Sequence, residues 1–266
     1  MKVNLLIAQF RVLLNIAENL NQILEIISNS EEEDLIILPE GALSGYADDM
    51  TFLNYIDSKD LHSALKLIKD KVYHKKVHII FGCCIKQSGK WYNTAIGYSY
   101  SNKDFIYRKV NLAIHEREII TPGDQLPVVN FFYKGQEMKL GVQLCREIRF
   151  PEQWKYLSIK GAQVFVYLTY TLGNEINVWR SHLISRAAEN QRFLISCNVA
   201  AKEQQCPTML ISPKGEIIQE VISEDKKIIK ASIDLTEVSN WYLSQNREDI
   251  VKICSPTLLE INQITP

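Results

Sequence analysis

Residues 139–154 read KLGVQLCREIRFPEQW. Leu140, Val142 and Leu144 alternate with a period of two, as in a strand that buries one face. The run ends at Cys145. A polar turn, Arg146 to Arg149, follows, and then Pro151. Proline suits the first position of a helix, where its fixed φ is already helical and its missing N–H has no partner to lose. The reading is a strand, then Cys145, then a helix from Pro151 to Lys160. Unpaired backbone N–H groups and the positive end of a helix dipole favour a thiolate in such a place. The same groups can hold an oxyanion. Taken alone, Cys145 also reads as a small buried hydrophobe, as free cysteines often are.

Outward from this stretch, helices and strands alternate. Val3 to Phe10 reads as a strand. Asn15 to Ser28 carries Ile16, Leu20, Ile23, Leu24 and Ile27 at helical spacing. DLIIL, Asp34 to Leu38, is a continuous apolar run, as expected of a strand covered on both faces. It leads into Pro39-Glu40-Gly41. Open α/β sheets place ligands beyond the carboxyl ends of their strands, so Glu40 is a candidate site residue; it reads equally as a solvated loop residue or a cap. Lys59 to Lys71 is a second amphipathic helix. Val77 to Ile85 and Tyr92 to Tyr100 form a hairpin around Gln87-Ser88-Gly89-Lys90.

Asp104 to Tyr107 extends the sheet towards Lys109, which by itself is an ordinary exposed lysine. Val110 to Gln125 is a long polar loop, of the kind that is usually functional or disordered. Val128 to Phe132, Met138 to Leu144, Gln163 to Leu168 and Phe193 to Val199 read as strands. Asn177 to Gln191 reads as a helix. Pro207 to Ser212 and Glu216 to Val221 form a late hairpin, Lys227 to Ile233 a last strand, and Asp234 onward a tail without a core pattern. No linker, repeat or low-complexity break appears. That predicts one α/β domain over residues 1–266, with helices on a mixed sheet or on two sheets.

Composition narrows the function classes. The 30 basic and 31 acidic residues leave a net charge of −1, which gives no basic footprint for nucleic acid. No segment approaches the roughly 18 apolar residues of a membrane span. Asn4, Gln9 and Arg11 interrupt the N-terminal apolar run too early for a signal peptide. Cys83, Cys84, Cys145, Cys197, Cys206 and Cys254 include no C-x-x-C pair, so reduced thiols in the cytoplasm are expected. The five histidines show no metal-ligand spacing. Nucleotide-binding glycine loops are absent, so neither a metal nor a cofactor is expected.

Three separated pieces then combine: LIILPEGALSGY (Leu35 to Tyr46), YRKVNL (Tyr107 to Leu112) and GVQLCREIRFPE (Gly141 to Glu152). Together they resemble the nitrilase superfamily of carbon–nitrogen hydrolases, in which a Glu, a Lys and a Cys occur in this order and in these contexts. SRAAENQRFLISCN (Ser185 to Asn198) and ISPKGEII (Ile211 to Ile218) extend the likeness over nearly the whole chain. The resemblance implies a four-layer α-β-β-α sandwich. It implies a homodimer, with the helix after Cys145 and the helix Asn177 to Gln191 as dimer-facing candidates. It also implies hydrolysis of a small linear amide, an ω-amide or an N-carbamoyl compound, with Cys145 as nucleophile, Glu40 as proton shuttle and Lys109 as cation. A nitrilase acting on a C≡N bond, or a non-catalytic binding protein of this fold, are the alternatives.

A second glutamate is common in the family. Glu116 and Glu118 both qualify, and Glu116, six residues before Pro122, has the spacing expected from similar loops. Substrate contacts are implied at Tyr46, Arg146, Thr169 and Tyr170, with Thr169-Tyr170-Thr171 lining the pocket. The chain departs from the family pattern in several places, the unusual composition of Thr169-Tyr170-Thr171 among them. Arg146 stands where an aromatic residue often follows the Cys, Glu147 where Asp is common, and Asn111 where His is frequent. Arg146 is a candidate for a substrate carboxylate, or alternatively for an ion pair with Glu147 or Glu152.

Overall fold

The computed structural model describes residues 1–247. Cys254 and the end of the expected tail lie outside them. Two six-stranded sheets organise the chain. The first sheet contains β1 (Lys2–Gln9), β2 (Leu35–Ile37), β3 (His78–Gln87), β4 (Lys90–Ser99), β5 (Phe105–Arg108) and β12 (Lys227–Asp234), in the order β12-β1-β2-β3-β4-β5. The second contains β6 (Val128–Tyr133), β7 (Gln136–Leu144), β8 (Val164–Leu168), β9 (Phe193–Cys197), β10 (Thr208–Ile211) and β11 (Ile217–Val221), in the order β11-β10-β9-β8-β7-β6. The helices are α1 (Ile16–Ser28), α2 (Ser58–Lys75), α3 (Pro151–Ile159) and α4 (Ile176–Asn190).

Three cores explain the layering. Leu5, Ile7, Leu35 and Ile37 of the first sheet meet Leu140, Val142, Val164 and Val166 of the second. Ile36 and Phe81, on the opposite face of the first sheet, pack with Ile23 and Ile27 of α1 and Leu61 and Ile68 of α2. Phe165, Leu194 and Met209 on the outer face of the second sheet pack with Trp154 of α3 and Trp179 and Leu183 of α4. A strand's side chains alternate between faces, so β2 needs apolar residues at every position to sit between a helix layer and a sheet. The result is the expected α-β-β-α sandwich.

Local chemistry fixes the element ends. Asn15 caps α1 by accepting from the Glu18 N–H, and Asp57 caps α2 by accepting from Lys59 and Asp60. Helix α2 runs four residues beyond its predicted end and stops where Lys76 turns left-handed, at φ 54°. Ser88 and Gly89 both have positive φ, the geometry of a two-residue hairpin turn, and join β3 to β4.

At the centre of each sheet the strands run parallel: β1-β2-β3 in one and β7-β8-β9 in the other. Short connections after β2, β5, β7 and β8 therefore carry Glu40, Lys109, Cys145 and Thr169 to Thr171. Gly82 of β3 passes directly against the Glu40 backbone. A Cβ there would collide with the Glu40 Cα and the Gly41 nitrogen, so glycine is required for Glu40 to sit where it does.

Candidate active site

Glu40, Lys109 and Glu116 are fully buried and in direct contact. The Lys109 ammonium lies 3.0 Å from Glu40 Oε1 and 3.0 Å from the Glu116 carboxylate. Asn93 of β4 donates through Nδ2 to both carboxylates, at 2.8 Å to Glu40 and 2.7 Å to Glu116. The other oxygen of Glu40 accepts from the Tyr170 N–H at 2.9 Å, and that of Glu116 from the Ala113 N–H at 2.6 Å. Charges removed from water persist only when paired and hydrogen-bonded in this way.

The two carboxylates are not equivalent. Burial raises the Glu40 pKa above its ordinary 4.5; the neighbouring Glu116 charge adds to this, and Lys109 opposes it. Burial also works against the Glu116 charge. There the Lys109 ammonium, the Asn93 amide and the Ala113 N–H outweigh it, and the pKa falls. Lys109 is held cationic: burial disfavours its charge, but Glu40, Cys145 and Glu116 overcome the penalty. Glu40 is thus the more readily protonated of the two carboxylates, and Glu116 the one whose charge is better supported. Environments that push two carboxylates apart in this way mark acid–base assignments.

Cys145 follows β7 directly and lines a cavity of about 430 Å³. Its φ is +36°, a strained value for a residue with a side chain. The Tyr167 hydroxyl donates to its carbonyl at 2.7 Å and helps to hold that conformation. Glu147 braces the same turn from below. Its carboxylate accepts from the Leu144 N–H at 2.7 Å, the Val110 N–H at 2.8 Å, the Asn111 N–H at 3.1 Å and the Tyr107 hydroxyl at 2.7 Å. One side chain thereby ties the segment after Lys109 to the segment around Cys145.

The expected ready thiolate is not what this environment favours. Burial and the Glu40 carboxylate push the Cys145 thiol up to about 11, against the pull of Lys109 and the Thr171 and Thr169 hydroxyls. The helix dipole invoked from sequence begins only at Pro151, after a 3-10 segment spanning Cys145–Arg149. A helix-end effect fades within about one turn. The resting sulfur is therefore a thiol beside a base.

Glu116, not Glu118, joins the cluster; Glu118 is exposed. Tyr46, Arg146 and Tyr170 line the cavity. Thr169 does not. It is fully buried, its hydroxyl in a short hydrogen bond to that of Thr171, and Thr171 forms the wall instead. In an extended chain, residues two apart share a side, so the two hydroxyls meet, with Thr169 the deeper of the pair and Thr171 the one at the cavity wall. Arg146 makes no ion pair with Glu147 or Glu152 among the described residues: the Glu147 oxygens are taken by backbone N–H groups and Tyr107.

Several residues escaped the sequence reading. His115 lines the cavity and shares a 2.9 Å hydrogen bond with the Tyr46 hydroxyl. Arg149 also lines it, its guanidinium 5.3 Å from the centre of the Trp179 ring. Asn93 carried one usable signal, an amide within the apolar strand WYNTAIGY.

Comparison with known proteins gives one family match and three similar proteins. A family model described as carbon–nitrogen hydrolase matches residues 6–242. Among curated proteins, a "Hydrolase in agr operon" of Staphylococcus lugdunensis is 29% identical over 220 residues, 78% of this chain and 91% of that protein. A 2-oxoglutaramate amidase of Bacillus subtilis is 29% identical over 219 residues, 78% of this chain and 81% of that protein. Among solved structures, Saccharomyces cerevisiae Nit3, described as a member of branch 10 of the nitrilase superfamily, superposes with a TM-score of 0.75 at 23% identity. That match covers 91% of this chain and 94% of Nit3, and it shows the shared fold.

Proposed function

The chain belongs to the carbon–nitrogen hydrolase family, and from that premise we propose that it hydrolyses a small linear amide, an ω-amide or an N-carbamoyl compound, through a thioester on Cys145. The observation that carries the proposal is the buried Glu40–Lys109–Glu116 cluster, whose charges act on Cys145, the one cysteine among the described residues that lines the cavity. Glu40 takes the thiol proton as Cys145 Sγ attacks the amide carbonyl. Lys109, with a backbone N–H in the Arg146 turn, balances the negative charge that develops on sulfur and then on the carbonyl oxygen. The C–N bond breaks as Glu40 passes its proton to the departing nitrogen, releasing ammonia. Glu40 next removes a proton from water, which attacks the thioester; the acid leaves and the thiol is restored.

Tyr46, Arg146 and Tyr170 would contact the acyl part, with Thr169 supporting the wall from beneath. Arg146 lines the cavity without an ionic partner among the described residues, which supports a carboxylate on the substrate. The B. subtilis relative, named for an ω-amide, points the same way. We further place residues 1–266 in one domain, acting as a homodimer with α3 and α4 towards the partner. The cytoplasmic placement rests on cysteine usage; the five described cysteines are free thiols.

The test is ammonia release from a panel of ω-amides, carbamoyl amines and nitriles. Turnover of amides alone supports the proposal, and turnover of nitriles alone replaces it with nitrilase chemistry. The pH profile makes a second prediction. Below the Glu40 pKa the carboxyl is protonated and cannot accept the thiol proton, so kcat/KM should fall about tenfold per pH unit on the acid side. That limb should lie above 4.5, since burial raises Glu40. No rise from free-thiol ionisation is expected below about 11. A rate that climbs steadily through mildly alkaline pH would count against Glu40 as the base.

A further inference from the structure

We infer that the Thr171 hydroxyl is a further catalytic group of this site, donating a hydrogen bond to the Cys145 sulfur when the thiol loses its proton and again when sulfur leaves the thioester. The inference rests on the proposed role of Cys145. Thr171 Oγ1 lies 3.5 Å from Cys145 Sγ, within hydrogen-bond reach for sulfur. Its backbone is clamped at both ends by the side chain of Asn198. The Thr171 N–H donates to Asn198 Oδ1 at 2.9 Å, and Asn198 Nδ2 donates to the Thr171 carbonyl at 2.9 Å. Asn198 is itself buried and fixed, its side-chain amide donating to the Cys206 carbonyl at 2.7 Å and its backbone N–H donating to the Thr208 hydroxyl oxygen at 3.1 Å. Thr171 is only 5% exposed, so its hydroxyl is aimed by packing and not by chance rotation.

The sulfur needs such a donor. Once Glu40 has taken the proton, the negative charge on sulfur sits at the partly buried floor of the cavity. The Lys109 ammonium there is already shared between two carboxylates at 3.0 Å each. Beneath Thr171 lies Thr169, whose hydroxyl is hydrogen-bonded to that of Thr171. With Thr169 donating to Thr171, and Thr171 donating to sulfur, both O–H dipoles point at the charge. A hydrogen bond to an ion is roughly twice as strong as one between neutral groups. The charged and titratable groups acting on Cys145 are Glu40 and Lys109, with Tyr46, Tyr167 and Cys206 nearby. None of them changes in a Thr171 variant, so a change in thiol behaviour reports the hydroxyl.

The experiment compares Thr171→Val and Thr171→Ser in the full chain. It follows iodoacetamide alkylation of Cys145 by peptide mass across mildly acidic to mildly alkaline pH, alongside kcat and KM for ammonia release from succinamate, a simple ω-amide. Valine keeps the shape and removes the donor. It should slow Cys145 alkylation and lower kcat each by about tenfold, with KM little changed. Serine should restore both to within about twofold. Thr171→Ala carries the same expectation should the valine protein not fold. Unchanged rates in the valine protein, or a serine protein as impaired as the valine one, would overturn the inference. If Cys145→Ala is inactive while Thr171→Val is normal, only the hydroxyl's role falls. If Cys145→Ala still releases ammonia, the proposed nucleophile falls with it.

Discussion

Cys145→Ala is expected to abolish ammonia release, by at least about 10⁴-fold in kcat/KM, while the protein remains folded. Losing a covalent nucleophile removes the route through the acyl intermediate, and the other groups cannot substitute for it because they act through it. The structural cost should be small. Alanine keeps the Cβ at this strained position and removes one sulfur atom that lines a cavity. The Tyr167 hydroxyl still has the same carbonyl to bind. Ammonia release from ω-amides, paired with thermal unfolding followed by circular dichroism, checks both halves. An unfolded alanine protein would say that Cys145 is a packing residue. A folded and active one would remove it from the chemistry.

Lys109→Met should fail in a different way, losing both activity and stability. Methionine has similar length but leaves Glu40 and Glu116 facing each other with no cation, each formerly 3.0 Å from the ammonium. Removing one partner of a buried charge cluster typically costs about 3–5 kcal/mol. The loss should depend on pH. Without the cation, both burial and mutual repulsion raise the carboxyl pKa values above those of the unfolded chain. Groups so raised favour folding at low pH and lose that contribution as pH rises through the folded-state pKa. Denaturation should therefore show a deficit that is large at neutral pH and smaller in mild acid. Activity should fall by about 10³-fold or more, since the charge balancing the anionic sulfur and oxyanion is gone. A Lys109→Met protein of unchanged stability would contradict the electrostatic account of the cluster.

The fold was legible because burial writes itself into period. The all-apolar DLIIL run, the alternation before Cys145 and the helical spacing of Ile16 to Ile27 each report what covers an element. Ser88-Gly89 reports its turn just as locally. The approach of Glu40, Lys109 and Cys145 was legible only through chain order and flanking residues resembling a known family, since no local pattern brings together positions so far apart. Glu116 could be preferred to Glu118 on spacing, and the burial of one and exposure of the other agree with that choice.

What stayed hidden depends on neighbours from distant segments. Asn93 reads as one more polar residue in an alternating strand, yet its amide bridges both carboxylates. Glu147 reads as a turn charge, yet it accepts from four donors drawn from three segments. The direction of the Cys145 shift is hidden for the same reason. The sequence shows the helix start nearby but not the carboxylate from residue 40 beside the thiol or the depth of burial, and these two outweigh it. Thr169 and Thr171 are two residues apart and of one type, and only their depth beneath the cavity wall separates their roles.

The most direct test is the mass of the Cys145 peptide, sampled by acid quench through the first turnover of an ω-amide such as succinamate. A transient increase equal to the acyl group, on that peptide and sensitive to hydroxylamine, is the predicted result. Turnover in which the acyl group rides on any other side chain would contradict it.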